Sequence, residues 1–464
     1  MTKDLPASKY VDAAQQYRNS KQGAYHGYYK ALRPKEDPEL MRVGPGTPCG
    51  EFFRRFWNPV AMTQEITDVP LRVRILGEDL VLFRDKCERY GLLHLHCSHR
   101  NASLEYGVVE EQGIRCCYHG WLYDVNGTIL ERPAQKEERS KILCHGAYPV
   151  IEYKGLIFAY MGPPEERPDF PIYDTTALPD VELVPYSIHY PCNWLQIAEN
   201  TMDPWHTVFL HARVTEIHFG DTWGIAPVTE FYETEGSVYA TLTYRVGDMI
   251  WVRSQETISP TFSQVGAWWE TGREEKYFKR ASITKWTVPH DDENCMIISW
   301  RSFGPGIDPE GHGNREQCGK NMVDFPGQTG VEPYEYRQQH PNDYEAQVSQ
   351  GPINSHACEN LSTTDKGVAY LRRKIRRSIQ NIQNGEKLPE TTRVNDEWMT
   401  YAQDTVLPIP MQPGRDDESL LREVSDAVMG IIFEGDQYSG ETRAQYIVSQ
   451  LKKLKSDPRF IANG

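Results

Sequence analysis

The sequence predicts an α+β protein made of two unlike units: an all-β unit, then a larger one in which an antiparallel sheet is flanked by helices. Three observations point there. Short β-rich runs broken by turn residues follow residues 42–62. Four prolines between 163 and 171 then interrupt the pattern, as a linker does. Beyond them, β-like runs in 228–302 are segregated from helical stretches on either side, the order of an α+β domain and not of a βαβ repeat.

In chain order, residues 1–45 are polar, with Tyr10, Tyr17, Tyr25, Tyr28 and Tyr29 as anchors, and are expected to form an N-terminal arm with short helical pieces. "RVGPGTPCGEFFRRFWNPVAM" (42–62) joins a Gly/Pro turn to an amphipathic turn of helix. "LRVRILGEDLVLFRD" (71–85) alternates about a Gly-Glu-Asp turn, which is a hairpin signal. "GLIFAYMGPPEERPDFPIYD" (155–174) ends a strand and enters the linker, so the two units are expected at 46–165 and 166–464. In the second, 190–213 reads as helical and "SVYATLTYRV" and "ASITKWTV" read as strands. "PNDYEAQVSQ" and "DKGVAYLRRKIRRSIQNIQNG" read as helices, the latter stopping on a glycine. "DAVMGIIFEG" and "ETRAQYIVSQLKKLKSD" add helix near the end.

Composition excludes several function classes. At 464 residues the chain exceeds one small core, and about 150 residues per domain suggests two or three. Fifty basic against 65 acidic residues leave a net charge of −15, which disfavours general nucleic-acid binding. The first residues hold no apolar core of a signal peptide, and no run of about 18 apolar residues occurs, so a soluble cytoplasmic protein without a membrane role is expected. Of ten cysteines, seven (49, 87, 144, 192, 295, 318 and 358) are scattered singly, as free packing thiols are. Only Cys97, Cys116 and Cys117 have a metal-like context.

That context is "CSHRNASLEYGVVEEQGIRCCYHGW" (97–121). Cys97-x-His99 is followed, after sixteen intervening residues, by Cys116-x-x-His119, each pair suited to the tip of a hairpin-like loop. Two thiolates and two imidazoles suit zinc, or a [2Fe–2S] cluster with His₂ on one iron and Cys₂ on the other. Common Cys₂His₂ zinc modules keep their cysteines together and their histidines together. Here each loop supplies one of each, which favours the cluster, while a structural zinc ribbon is the plain alternative. Gly120 permits a tight turn, and Tyr118 and Trp121 can shield a cluster. His94 and His96 alternate with Leu93 and Leu95 and read as strand residues, not ligands.

At these residues the sequence resembles the Rieske domain, whose pattern C-x-H-R…C-x-x-H-G-W it matches at Cys97, His99, Arg100, Cys116, His119, Gly120 and Trp121. Rieske electron carriers of respiratory complexes have two further, disulfide-bonded cysteines. Ala102 and Tyr118 stand in their places, which favours the oxygenase type. Two positions depart from the pattern: Asn101 stands where Gly is common and Cys117 where Pro is. The Cys-x-x-His spacing assigns the ligand to Cys116.

Downstream, "AENTMDPWHTVFLHARV" contains Asp203, His206 and His211 as D-x-x-H-x-x-x-x-H. Two imidazoles with a later carboxylate suit the facial triad of mononuclear non-haem iron(II). On an ideal helix, i and i+5 lie about 140° apart, so a π-type widening or a kink at Pro204 is expected. The spacing by itself is common. Rieske oxygenases, however, carry N-x-x-D-x-x-H-x-x-x-x-H, and Asn200 completes that pattern. The segment "HPNDYEAQVSQGPINSHACENL" resembles the ligand helix of the phthalate-dioxygenase-like branch, with Gly351-Pro352-Ile353 as its turn. That resemblance implies Asp343 as third ligand, Glu345 being the competitor. The plain reading is a helix N-cap at Asn342 or Asp343.

The chain is thus identified as a member of the Rieske non-haem iron aromatic ring-hydroxylating oxygenases, as a terminal oxygenase (alpha) subunit. The resemblance implies an all-β Rieske [2Fe–2S] domain followed by a helix-grip (START-like) catalytic domain. By the same resemblance the cluster would be held by Cys97, His99, Cys116 and His119, and Fe(II) by His206, His211 and Asp343. Asp203 would bridge His206 to His99 or His119 of a neighbouring subunit, which implies a homotrimer or a hexamer of stacked trimers. No GxGxxG or P-loop in a suitable context and no plant-type ferredoxin spacing is found. Electrons are therefore expected from a separate NAD(P)H-dependent flavin/iron–sulfur reductase, for which "RRKIRR" (372–377) is a candidate dock or else a solvated helix face.

Expected chemistry is O₂-dependent hydroxylation of a small aromatic substrate with a carboxylate, by ring dihydroxylation or monooxygenation, with Arg213 as a candidate for the carboxylate. The alternatives are aryl-ether O-demethylation and, from another class, an electron carrier without oxygenase activity.

Overall fold

The computed structural model describes residues 36–133 and 143–461. Most of the arm expected at 1–45, with all five of its tyrosines, therefore lies outside the described residues. The architecture is α+β, with three small antiparallel sheets ahead of a nine-stranded antiparallel one.

The hairpin expected at 71–85 forms from Leu71–Ile75 and Glu78–Arg84. Its turn is Leu76-Gly77, both at positive φ (49° and 77°), and not Gly-Glu-Asp. A two-residue turn of this hand matches the strand twist, and Glu78 and Asp79 are free to start the second strand. Leu76 and Gly77 donate their N–H groups to Pro289 and His290, tying this hairpin to the large sheet.

Two four-stranded sheets pack around a core that includes Val81, Leu93, Leu104, Ile114, Cys97 and Cys116. A three-stranded sheet (Trp57–Met62, Leu156–Tyr160, Val150–Tyr153) belongs to another core, continuous with the large sheet. Phe158 packs against Trp286 and Trp300, and Phe53 of the helix Pro48–Arg54 packs edge-on to Trp194. Phe170 pins the proline-rich segment against Trp57, Tyr153 and Phe158.

The large sheet runs in the order Glu182–Tyr190, Cys295–Phe303, Ile283–Pro289, Phe262–Val265, Met249–Ile258, Ser237–Val246, Val228–Glu233. Gln403–Leu407 pairs with Met249–Ile258 and with Lys276–Arg280. Successive strand residues alternate faces. Trp286, Phe262 and Trp300 take the face toward the small sheet, and the segment 194–224 covers the other. Helices Asp417–Glu434 and Gly440–Leu454 close a separate core against this sheet.

The expected helix at 365–385 is Lys366–Gln383. Its basic run is consumed internally. Arg372 pairs with Glu199 and Glu359, Arg373 and Arg377 with Glu233, and Arg376 with Asp37 and Glu39. Lys374 donates to the carbonyls of Thr234 and Glu235. Each cation of the run thus has an intramolecular partner among the described residues, while Arg373 and Arg377, which share Glu233, remain more than half exposed. Among the described residues no helix is long and apolar enough to cross a membrane.

Candidate metal centres

The two Cys-His loops have one backbone design. Cys97 N–H donates to Ala102 O and Asn101 N–H to Cys97 O; Cys116 N–H donates to Trp121 O and Gly120 N–H to Cys116 O. The closing residue has positive φ in both, 59° at Asn101 and 73° at Gly120. Asparagine is among the few side-chain-bearing residues that enter this region readily, which explains how Asn101 stands in for glycine.

Cys97 and Cys116 are buried side by side, whereas Cys117 is exposed. Burial pushes the Cys116 thiol up, and the adjacent Cys97 adds to it. Tyr123 Oη lies 2.9 Å from Cys97 Sγ. The imidazoles stand at the rim: His99 and His119 have ring centroids 4.4 Å apart, and His99 stacks on Trp121 at 4.9 Å. His99 Nδ1 is buried with no hydrogen-bond partner among the described residues, a cost that a metal bond would remove. Among the described residues, no three of the four ligand candidates bring their atoms within 4.8 Å of one another. One tetrahedral zinc would need all four within about 4 Å. A donor set divided between two irons fits the wider spread.

The helical stretch expected at 190–213 is broken. It consists of Trp194–Ala198, a 3₁₀ turn at Glu199–Met202, and the single helical turn His206–Leu210. Pro204 bars α geometry at Asp203, whose φ and ψ are −116° and 80°. No π-widening is needed, because His206 opens the last helix and His211 is its C-cap residue. Their rings lie 5.2 Å apart at 76°.

Asp343 lies between them. Its Oδ1 is 3.6 Å from His206 Nε2 and its Oδ2 3.5 Å from His211 Nε2. All three ligand atoms fall within 4.8 Å, a spacing suited to one ion with bonds of about 2.0–2.2 Å. Glu345 is elsewhere: it completes the capping box with Asn342 and meets Arg337. Because Asn342 caps the helix Asp343–Val348, the Asp343 carboxylate is available to the site. Gln196 holds the two distant segments together, donating to the carbonyls of Gln347 and Gly351 and accepting from Asn354 N–H.

The imidazoles are oriented from behind. His206 Nδ1 donates to the Asp203 carbonyl, which leaves the lone pair on Nε2. His211 Nδ1 lies 3.2 Å from His218 Nδ1. Gln328 donates to Asp343 Oδ2 at 2.7 Å, and Asn200 Nδ2 lies 3.2 Å from both Asp343 Oδ1 and His206 Nε2. Burial pushes the Asp343 carboxyl up, but the imidazoles of His211 and His206 and the Gln328 amide hold it well below the usual carboxylate range. His218 and Gln328 carry no sequence motif, and sequence reasoning missed them. Only His218, seven residues beyond His211, left a trace.

Asp203 is about one-third exposed, with its carboxylate 4.0 Å from His206 Nδ1. Exposed Phe209, Val214 and Ile217 lie on the same segment, and Tyr118 is exposed beside His119. Arg213 is exposed and donates to the Gly224 carbonyl, so it does not serve as the cation of this site. Glu199, His356 and Glu359 also converge. Arg372 occupies both carboxylates, so that cluster is an ion-pair network.

A family profile described as the Rieske [2Fe-2S] domain matches residues 56–153. The tert-butanol monooxygenase / tert-amyl alcohol desaturase oxygenase subunit of Aquincola tertiaricarbonis is 39% identical over 460 residues, covering 93% of this chain and 97% of that protein. The phenoxybenzoate dioxygenase subunit alpha of Ectopseudomonas oleovorans is 37% identical over 388 residues, 77% of this chain and 88% of that protein. Among solved structures, dicamba monooxygenase bound to dicamba superposes with a TM-score of 0.55 at 20% identity, over 72% of this chain and 99% of that one. This last likeness concerns the fold.

Proposed function

The chain belongs to the Rieske non-haem iron oxygenases as an oxygenase subunit, and from that premise we propose a division of labour among its residues. It is an O₂-dependent enzyme with a Rieske [2Fe–2S] cluster and a mononuclear iron, served by a separate reductase. The observation that carries the residue assignment is the convergence of His206, His211 and Asp343 in a chain that also presents two matched Cys-His loops.

Residues 46–165 form the unit that holds the cluster, through Cys97, His99, Cys116 and His119. Residues 166–464 form the unit that holds iron(II), through His206, His211 and Asp343. When bound, the cluster supplies single electrons and the iron supplies open positions for dioxygen. Asn200 keeps His206 and Asp343 in place from the side where its amide meets both.

Asp203 receives the rim imidazole of a second copy, His99 or His119, while its own carbonyl orients His206. Such a head-to-tail contact is heterologous and closes as a ring, here a homotrimer or a stack of two. The exposed apolar residues Phe209, Val214, Ile217 and Tyr118 beside the two sites support that contact. The reductase is an NAD(P)H-dependent flavin/iron–sulfur protein.

The substrate is a small aromatic compound, hydroxylated on the ring or demethylated at an ether, as the relationship to the phenoxybenzoate dioxygenase subunit supports. A second reading, oxidation of a compact tertiary alcohol, is favoured by the 39% identity to the tert-butanol monooxygenase subunit.

Metal analysis with a visible spectrum tests the assignment. The expected result is about three irons per chain. His206→Ala and Asp343→Ala should retain about two, with the cluster spectrum unchanged. A colourless protein with stoichiometric zinc, or variants that keep the third iron, would overturn it. Substrate-dependent O₂ uptake with a surrogate reductase, over aromatic acids, aryl ethers and tertiary alcohols, decides between the substrate readings.

A further inference from the structure

Lys285 lies in the strand Ile283–Pro289, which is paired on both edges, by Phe262–Val265 and Cys295–Phe303. Its neighbours Thr284 and Trp286 are buried, and Trp286 packs with Phe158, Phe262 and Trp300 toward the small sheet. By strand alternation Lys285 faces the other way. It shares that face with its register partners Ser263 and Ser299, and beyond them with Thr257 and Tyr186.

This is the face that the iron-site segment covers. Gln255, two residues from Thr257 on the same strand and face, donates to the Thr201 carbonyl. Trp223 rests on Arg253, again two residues along. A long amine therefore projects from the middle of the sheet toward the segment that bears His206 and His211. It is not fully packed away, although the strand is interior.

Among the described residues the Lys285 side chain has neither hydrogen bond nor ion pair. Burial pushes its pKa down, and the one charge acting on it is the Asp343 carboxylate, which iron binding would engage. Folding gains nothing from an unpaired ammonium in such a place; a methionine would pack as well and avoid the desolvation cost. An unpaired amine on the sheet face that the iron-site segment covers is suited to an anionic partner that arrives with the substrate.

We propose that Lys285 is a specificity-determining residue that pairs with a carboxylate on the substrate and so sets which carbon meets the iron-bearing residues. This rests on the reading of His206, His211 and Asp343 as an oxygenase centre. It also assigns to Lys285 the role that proximity in sequence suggested for Arg213.

The test uses the holoenzyme and matched pairs of a carboxylate and its uncharged amide: benzoate with benzamide, and 3-methoxybenzoate with 3-methoxybenzamide. Binding is read by anaerobic calorimetry, with cluster absorbance and iron content as folding controls. The wild type should prefer the acid in at least one pair. Lys285→Gln should weaken acid binding on the order of 30-fold or more, the loss of a desolvated charge partner, and leave the amide within about threefold. Lys285→Arg should keep the preference.

Acid binding by Lys285→Gln equal to that of the wild type would overturn the proposal. So would a wild type that binds no acid better than its amide, a comparison that stands even if the variants do not fold. If no acid binds but tert-butanol drives O₂ uptake, this inference falls and the oxygenase reading stands. Loss of the third iron from the wild type sinks the oxygenase reading itself.

Discussion

Replacing Gln328 by leucine removes a 2.7 Å hydrogen bond to Asp343 Oδ2 from a buried side chain and keeps much of its bulk. Asp343 then retains the Asn200 amide, on Oδ1 at 3.2 Å, and is free to rotate about it. A hydrogen bond to a charged acceptor contributes about 1.5–3 kcal/mol. At 1.36 kcal/mol per decade this weakens iron(II) binding by about 10- to 150-fold, in the range of 10- to 100-fold expected when a partner behind a metal ligand is lost. Protonation does not obscure the effect, because the imidazoles of His211 and His206 still hold the carboxyl low against burial. The measurement is anaerobic iron(II) titration of iron-depleted protein that retains its cluster, whose absorbance serves as the internal control. Affinity within threefold of the wild type in Gln328→Leu, with the cluster intact, would show that Asp343 needs no such support.

Other expectations follow from the same geometry. Asp203→Ala should keep both metals and normal cluster reduction but lose at least tenfold in substrate oxidation per reduced cluster; normal coupled turnover would remove Asp203 from the bridging role. Asn101→Val, at φ 59°, should cost roughly 1–2 kcal/mol and speed cluster loss to a chelator, whereas Asn101→Gly should match the wild type. Equal loss rates in both variants would count against a backbone cause. His290 is pushed down to about 4 from 6.5 by burial, with His189 and Arg74 adding to it. The unfolded chain therefore binds the proton first, and stability falls as pH drops from about 6.5 to 4, by about 3 kcal/mol at the lower end. His290→Gln should flatten that part of the profile of thermal midpoint against pH, and an unchanged slope would rule His290 out as its source.

Local order in the chain made much of the molecule legible. The two Cys-His loops could be read because each closes within six residues on its own backbone hydrogen bonds. The hairpin at 71–84 announced itself through alternation, although its turn lies one residue earlier than the Gly-Glu-Asp reading, because strand twist demands positive φ at Leu76 and Gly77. The long helix over 366–383 was visible from its period and its glycine stop. The destination of its arginines was not, since Glu233, Glu199, Asp37 and Glu39 lie far away in sequence.

Sequence by itself determined the inventory: which thiols, imidazoles and carboxylates exist, and which stand in loops able to present them. Tertiary structure decided their company. It set Asp343 and not Glu345 against two imidazoles more than 130 residues earlier, placed Gln328 and His218 behind them, sent Arg213 outward, and left the Lys285 side chain unpaired on the sheet face that the iron-site segment covers. The physical reason is one of range. Turns, caps and strand alternation follow from a few neighbouring dihedrals, whereas the neighbours of a buried side chain depend on how separate elements pack, and that is encoded in the whole core.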